Sequence, residues 1–238
     1  MSIRQRLRAA CVCALLALTA LAVPVHADGL STTIVLRIDQ STAAVNSADV
    51  ALDTAPTIVA AEGRTYVPVR FIAENLGVYV GWDGNQQKIT FLTGDTRIEL
   101  FIGQRTAKVN GKGVTLDASP FINADNRTLV PVRFISEQLG ASVAWDGDAR
   151  AVTVTAPWAG KVVLLKDTRF DASTLTVDAG TRVTWVNTDQ LLHDVTGPGF
   201  SSGLLSPGDA FAYTFASAGT YHVECSLHPG MESQVVVR

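Results

Sequence analysis

Short apolar runs, several of which alternate with polar residues, follow one another from residue 161 to the end of the chain. A period of two is the pattern of half-buried β-strands, because successive side chains of a strand point to opposite faces. Turn-forming residues separate the runs, so this part is predicted to form an all-β sandwich. The runs lie at 162–165, 174–177, 182–187, 211–215, 221–225 and 235–237.

The run that ends at Cys225 also predicts how the nearby histidines are oriented. If Cys225 points inward with the apolar residues of its strand, His222 points to solvent and is a surface residue. His228 follows three residues after Cys225. Pro229 and Gly230 disfavour a helix at this point, so we predict a tight loop around these side chains.

A different pattern occupies the preceding part of the chain, where one segment occurs twice. Residues 64–77 recur as 127–140, at an offset of 63, and each copy leads into a Trp-Asp-Gly sequence. Each copy predicts a short strand, a helix between a proline and a glycine, and an Asp-Gly turn between two further strands. The repeat therefore predicts an α+β module, an antiparallel sheet with two short helices, built from one unit used twice.

The first residues have the features of a secretion signal. Three arginines precede an apolar stretch at 9–23, and 25–27 fits a small-residue cleavage site, which predicts a signal peptide at 1–27. A retained membrane anchor is the alternative, but the stretch is short for a membrane span, and no later segment is long and apolar enough. We therefore expect an exported protein without a transmembrane segment, in the periplasm or outside the cell at its envelope.

A segment with proline and glycine divides the rest of the chain into two domains. A Pro-Trp-Ala-Gly sequence marks a boundary that separates a repeat domain at 28–157 from a C-terminal domain at 158–238. Removal of the leader takes three arginines and two of the three cysteines, leaving 16 basic against 22 acidic residues. This mildly acidic balance argues against nucleic-acid binding, which requires a basic patch.

The remaining cysteine lies in a segment with metal-binding chemistry. Cys225, His228 and Met231 place a thiolate, an imidazole and a thioether within seven residues, and His193 is a candidate second imidazole. Two histidines, one cysteine and a weak axial methionine form the blue-copper site. Zinc is disfavoured because methionine is a poor zinc ligand, and a binuclear copper centre would need a second cysteine. Residues 28–158 contain neither histidine nor cysteine, so no metal site is predicted there.

Residues 33–155 resemble the copper amine oxidase N-terminal-like, or stalk, domain. The resemblance is carried by the V-P-x-R-x-x-x-E-x-L-G and W-D-G elements, each of which occurs twice. It implies a folded extracellular spacer or adhesion module that contacts the cell envelope. No oxidase chemistry is expected, because the histidine ligands of that chemistry are absent from this region.

Residues 160–238 resemble a cupredoxin of the plastocyanin–amicyanin group. The matching segments are 180–187, 193–195, Phe215 with 219–221, and the loop that begins at Cys225. The resemblance implies a Greek-key sandwich and one copper ion with four ligands, namely His193, Cys225, His228 and the axial Met231. The C-x-x-H-x-x-M loop has the short amicyanin-like length, whereas Ser233 stands where the family often has glycine.

A copper site of this kind predicts an electron carrier rather than an enzyme. Two histidines and a cysteine suit both Cu(I) and Cu(II), and no open coordination position is expected. Electrons should pass at the solvent edge of His228 to a redox-protein donor or acceptor, and Asp194 is a candidate for orienting its ligand neighbour. An apolar rim for docking is predicted from Leu191, Leu192, Leu227 and Pro229. The alternatives are a copper-binding or copper-delivery protein, and a cell-surface interaction protein with an accessory cupredoxin.

Overall fold

The computed structural model describes residues 30–238, so the predicted signal peptide at 1–27 lies outside the described residues. The described part is mostly β, with 23 strands and two helices. None of the helices in residues 30–238 is long and apolar enough to cross a membrane.

The N-terminal part, up to residue 156, contains two copies of one element order. Each copy has five strands, a helix of seven residues and two more strands. The first copy consists of β1 Thr32–Arg37, β2 Thr42–Val45, β3 Ala48–Ala51, β4 Thr57–Val59, β5 Arg64–Pro68, α1 Val69–Asn75, β6 Tyr79–Asp83 and β7 Lys88–Leu92. The second copy consists of β8 Arg97–Phe101, β9 Thr106–Val109, β10 Lys112–Thr115, β11 Phe121–Ile122, β12 Thr128–Pro131, α2 Val132–Gln138, β13 Ser142–Asp146 and β14 Ala151–Ala156.

The two copies exchange hairpins. Strands β6 and β7 join β8–β10 in one sheet, and β13 and β14 join β1–β3 in another. Strands β5 and β12 pair antiparallel at the centre of a third sheet, which has four strands. The structure therefore has three antiparallel sheets where the sequence predicted one. The cause lies in the chain order: β7 continues directly into β8 of the second copy, whereas β14 has no third copy to follow it and pairs with β1.

The ends of both helices agree with the sequence pattern. Pro68 is extended and directly precedes α1, where its missing N–H leaves no hydrogen bond unmade. Gly77 has a φ of 65° and Gly140 a φ of 88°, so both adopt the left-handed conformation that terminates a helix. The predicted helices are therefore confirmed at both ends.

Each Trp-Asp-Gly sequence ends a strand and leads into a hairpin turn of four residues. In the first copy, Asp83 Oδ1 accepts hydrogen bonds from the N–H groups of Asn85 and Gln86. Asp146 accepts the equivalent pair in the second copy. The aspartate side chain therefore holds a longer turn than the two residues that Asp-Gly most often forms.

The C-terminal part is an all-β sandwich, and residues 157–238 contain no α-helix. Its two sheets have the strand orders β16-β15-β18-β21 and β17-β23-β22-β19-β20. The pairs β15–β18 and β17–β23 are parallel, and the others are antiparallel. The strands are β15 Gly160–Lys166, β16 Arg169–Phe170, β17 Thr174–Val177, β18 Arg182–Asn187, β19 Thr196–Gly197, β20 Phe200–Ser201, β21 Ala210–Thr214, β22 Gly219–Glu224 and β23 Glu232–Val237.

The central strand β18 is buried on both faces. Trp185 lies in the core between the two sheets, and Thr184 on the opposite face is also only 1% exposed. The N-terminal part covers that second face: the Arg182 guanidinium lies 2.7 Å from the Asp95 carboxylate. The residues of β18 therefore alternate between two buried faces of the strand, and neither face is exposed to solvent at Thr184 and Trp185.

Candidate metal centre

Three of the predicted ligand side chains meet just beyond the end of β22. His193 Nδ1 lies 3.6 Å from Cys225 Sγ, and His228 Nδ1 lies 3.4 Å from the same sulfur. The centroids of the two imidazole rings are 4.5 Å apart. The ligand atoms of all three residues lie within 4.8 Å of one another, a spacing that one metal ion can bridge.

The loop from Cys225 to Met231 is closed by its own backbone. Cys225 N–H donates to Met231 O at 3.0 Å, and Met231 N–H donates to His228 O at 3.1 Å. Gly230 has a φ of 82°, which the left-handed region allows for glycine at little cost. Met231 is 2% exposed and belongs to the same hydrophobic cluster as Cys225. The predicted fourth ligand is therefore buried in the same loop.

His193 is held in place on both sides of its ring. Its backbone pairs with Leu205, and its side chain is fully buried. Its Nε2 lies 3.2 Å from Asp189 Oδ2, while Nδ1 faces Cys225. The pKa of Asp189 lies below its usual range because the N–H groups of Thr168 and Gln190 donate hydrogen bonds to it. A charged Asp189 places the imidazole proton on Nε2 and leaves the Nδ1 lone pair available for a metal.

Sequence reasoning missed the role of Asp189. The available signal was a carboxylate four residues before a histidine, but that spacing is informative only on a helix. Here the two residues lie in the loop that follows β18. Their contact depends on the course of that loop, which the sequence pattern does not predict.

Asp194 links the His193 segment to the Cys225 loop. Its carboxylate accepts hydrogen bonds from the Ser226 N–H and the Ser226 hydroxyl, each at 2.6 Å. Its own N–H donates to Cys225 Sγ at 3.4 Å. Burial raises the pKa of Asp194, but the hydrogen bonds from Ser226 outweigh burial and bring that pKa below its usual value. Asp194 therefore acts on the sulfur through its backbone and on the loop through its side chain.

The environment of Cys225 affects the pKa of its thiol. Burial raises the pKa of the thiol, although N–H groups of Asp194 and Leu227 oppose the increase. The nearby Asp194 carboxylate adds to it. The thiol is therefore protonated at neutral pH, and a metal ion that binds the sulfur has to displace this proton.

Two further sequence predictions concern residues near the site. His222 is exposed and lies outside the cluster, as the strand parity predicted. Ser233, which departs from the family pattern, is 4% exposed and donates a hydrogen bond from its hydroxyl to Ala172 O at 2.6 Å. Its polar atom is therefore satisfied, and the serine leaves the ligand loop undisturbed.

Exposed leucines flank the ligand segments. Leu191 and Leu192 precede His193, and Leu227 precedes His228. Leu204, which the sequence analysis did not single out, is 65% exposed and adjoins Leu205, the backbone partner of His193. His228 is the most exposed member of the three-residue cluster, since His193 and Cys225 are buried. Leu204 is therefore a candidate to add to the three leucines of the predicted apolar rim.

Comparison with known proteins identifies relatives for both parts of the chain. The family described as copper binding proteins of the plastocyanin/azurin family matches residues 162–238. The family described as copper amine oxidase N-terminal domain matches residues 24–88 and 58–154. Both resemblances inferred from the sequence motifs are therefore confirmed.

Individual relatives match the C-terminal part. Amicyanin-alpha from Methylorubrum extorquens is 31% identical over 104 residues, covering 41% of this chain and 87% of the relative. Amicyanin from Paracoccus versutus is 30% identical over 113 residues, covering 42% and 86%. The solved structure of a purple cupredoxin from Nitrosopumilus maritimus is 26% identical, and the match covers 32% of this chain and 98% of that one with a TM-score of 0.31.

Proposed function

Since residues 162–238 make this chain a member of the plastocyanin/azurin family of copper-binding proteins, we propose that it is an exported carrier of single electrons. Its cofactor is one copper ion, as in the rest of the family. The observation that carries the proposal is the convergence of one buried thiol and two imidazoles within 4.8 Å. Such a ligand set gives a type 1 copper site.

The proposed ligands are His193, Cys225 and His228, with Met231 as the weak axial ligand. Hydrogen bonds of two carboxylate residues orient these ligands: Asp189 contacts the His193 ring, and Asp194 contacts Cys225 and Ser226. A preorganised and buried site undergoes little rearrangement when copper gains or loses one electron. The chemistry that a bound copper ion would supply here is single-electron exchange.

The proposed route for the electron is the partly exposed His228. Exposed leucines adjoin the ligand segments along the chain, namely Leu191, Leu192, Leu204 and Leu227, and they offer apolar surface on which a redox protein can dock briefly, because desolvation of such side chains favours association. A small interface of this kind suits weak, short-lived electron-transfer encounters. The proposed partners are therefore a redox donor and a redox acceptor that use the same surface in turn.

For the rest of the chain we propose a non-catalytic stalk at 28–157 that carries the copper domain at 158–238 at the cell envelope. Two separate hydrophobic clusters support this division, one within residues 34–156 and the other within 163–237. Trp158, at the proposed boundary, packs against the first cluster and donates from Nε1 to Leu76 O at 3.2 Å.

The stalk and the copper domain pack closely. A Cβ at Gly160 would lie 2.8 Å from Leu76 O, so this junction admits only a glycine without rearrangement. The Arg182–Asp95 ion pair lies across the same boundary. The proposed copper domain is therefore held in one orientation rather than on a loose linker.

Electron self-exchange between Cu(I) and Cu(II) copies tests the proposed docking surface. Leu227→Asp is expected to slow self-exchange on the order of tenfold, about 1.4 kcal/mol, because two like charges then face each other in the encounter. The rate is measured from NMR line broadening in mixtures of the two oxidation states. Val50→Asp, which adds the same charge on exposed β3, is the matched control. Equal rates in the two variants would contradict docking at this surface, and loss of copper on reduction would favour a delivery protein.

Asp189→Ala tests the positioning of His193. Loss of the carboxylate frees the ring to rotate and to place its proton on Nδ1, so copper affinity is expected to fall about 10- to 100-fold. Competition with a chelator of known affinity measures the change. Asp167→Ala removes an exposed carboxylate from the neighbouring turn and should leave the affinity unaltered. Equal affinities for the two variants would refute the positioning role.

A further inference from the structure

Two grooves in the N-terminal part are related to each other by the repeat. Their volumes are about 490 Å³ and about 520 Å³, within the range of small-molecule sites. The first groove is defined by Asp53, Val69, Arg70, Trp82, Arg127 and Thr128. The second groove is defined by Asp117, Val132, Arg133, Trp145, Arg64 and Thr65.

Each groove is built from both copies of the repeat. In the first groove Arg70 and Trp82 come from the first copy, while Arg127 comes from the turn before β12 in the second copy. In the second groove Arg133 and Trp145 come from the second copy, and Arg64 comes from the first. The grooves therefore exist because the copies exchange hairpins, and the same residue types line both.

An exposed tryptophan forms one wall of each groove. Trp82 is 46% exposed and Trp145 is 44% exposed, which is unusual for the largest apolar side chain. The glycine of each Trp-Asp-Gly turn lies beneath the indole: a Cβ at Gly84 would be 3.4 Å from Trp82 Nε1, and one at Gly147 would be 3.6 Å from Trp145 Nε1. The two indoles thus occupy equivalent positions in the repeat, and nearly half of each side chain is exposed.

Paired charges line the same groove as each indole. Arg127 Nε lies 2.6 Å from Asp53 Oδ2 in the first groove, and Arg64 pairs with Asp117 in the second. A second arginine in each groove pairs with a carboxylate of its own helix. Arg70 lies 3.8 Å from Glu74, and Arg133 makes the equivalent pair with Glu137. The grooves therefore combine planar donors and carboxylate acceptors with little net charge, a composition that favours neither nucleic acid nor a strongly charged peptide.

We propose that the two grooves bind a polysaccharide, each groove taking a short run of its sugar units. The flat face of an indole packs against the C–H face of a pyranose ring, since the aromatic body is apolar. An arginine–aspartate pair offers two donors and two acceptors to neighbouring hydroxyl groups, in the planar geometry that arginine favours. This binding site is independent of the copper site, and its failure leaves the proposed electron transfer untouched.

Two equivalent grooves in one chain allow bivalent binding to a polymer. Once one groove holds the polymer, the other meets it at a high effective concentration, and linked sites gain about 10²–10⁴-fold in affinity. Loss of one tryptophan should therefore remove both its own contact and this gain. A short oligosaccharide, which reaches only one groove, should bind weakly to either.

Cosedimentation with purified, protein-free peptidoglycan tests the proposal on the copper-loaded full chain. Wild type is expected to sediment, and Trp82→Ala and Trp145→Ala should each weaken binding at least about 100-fold, the lower end of the avidity gain. Trp82→Phe, which keeps an aromatic face, should retain more binding than Trp82→Ala. Val50→Ala, an exposed change outside both grooves, should bind as wild type does. The visible absorption of the copper site should stay the same in all variants.

Three results would overturn the proposal. The first is wild type that stays in solution with peptidoglycan. The second is a double variant, Trp82→Ala with Trp145→Ala, that still sediments as wild type does. The third is a double variant that converts a dimer into a monomer in sedimentation velocity while sugars have no effect, because the grooves would then be an interface between copies of this chain.

Discussion

Cys225→Ser is expected to abolish the intense visible absorption of the Cu(II)-loaded protein. The thiolate is the ligand whose electrons give rise to that absorption, and a serine hydroxyl stays protonated and binds soft copper weakly. Affinity for Cu(I) should fall by more than the roughly 100-fold that loss of an outer contact costs. Absorption spectroscopy and a chelator competition measure the two effects on the same samples.

The substitution preserves the shape of the site, which makes its outcome easy to interpret. Serine is similar in volume to cysteine. Its oxygen can accept the hydrogen bond that the Asp194 N–H now donates to the Cys225 sulfur. Ser226→Ala is the control: it removes the neighbouring hydroxyl that donates to Asp194 and should keep the absorption. An absorption band that survives in Cys225→Ser would contradict the sulfur ligand, because residues 30–238 hold no other cysteine.

Trp185→Ala is expected to lower the free energy of unfolding of the C-terminal sandwich by about 3–5 kcal/mol. Trp185 is 1% exposed and fills the core between the two sheets. Its ring centroid lies 5.9 Å from that of Phe200 and 6.2 Å from that of Phe215, so truncation removes aromatic contacts and leaves a cavity. Denaturant titration, followed by loss of the visible absorption of the copper site, reports unfolding of this sandwich alone.

Trp82→Ala provides the matched control for this measurement. It makes the same chemical change at an exposed position in the N-terminal part, where substitutions usually alter stability by less than about 0.5 kcal/mol. The copper absorption of this variant should therefore disappear at the same denaturant concentration as in wild type. A shift of equal size in both variants would show that Trp185 does not carry the packing assigned to it.

The ligand loop could be predicted from the sequence because its information is local. Strand alternation placed Cys225 inward and His222 outward, and Pro229 with Gly230 predicted a loop rather than a helix. His193 is different, since 32 residues separate it from Cys225 in the chain. The sequence made it a candidate second imidazole, and the family resemblance assigned it as a ligand, because a pattern of alternation specifies the face of a residue and not its distant neighbour.

The same limit explains what the sequence analysis missed. The pairing of β1 with β14 joins residues more than a hundred positions apart, and both repeat copies have equal local patterns. Nothing in the alternation of β18 distinguishes a solvated face from one covered by the N-terminal part, so burial of Thr184 was not predicted. Asp189 was missed for a related reason, since its contact with His193 depends on an irregular loop.

The most direct test of the copper assignment is the visible spectrum of the full chain loaded with Cu(II), with the bound metal quantified. The ligand set His193, Cys225, His228 and Met231 predicts one copper ion per chain and an intense thiolate-to-copper absorption that disappears reversibly on one-electron reduction. A colourless Cu(II) complex, or a chain that binds no copper, would contradict it.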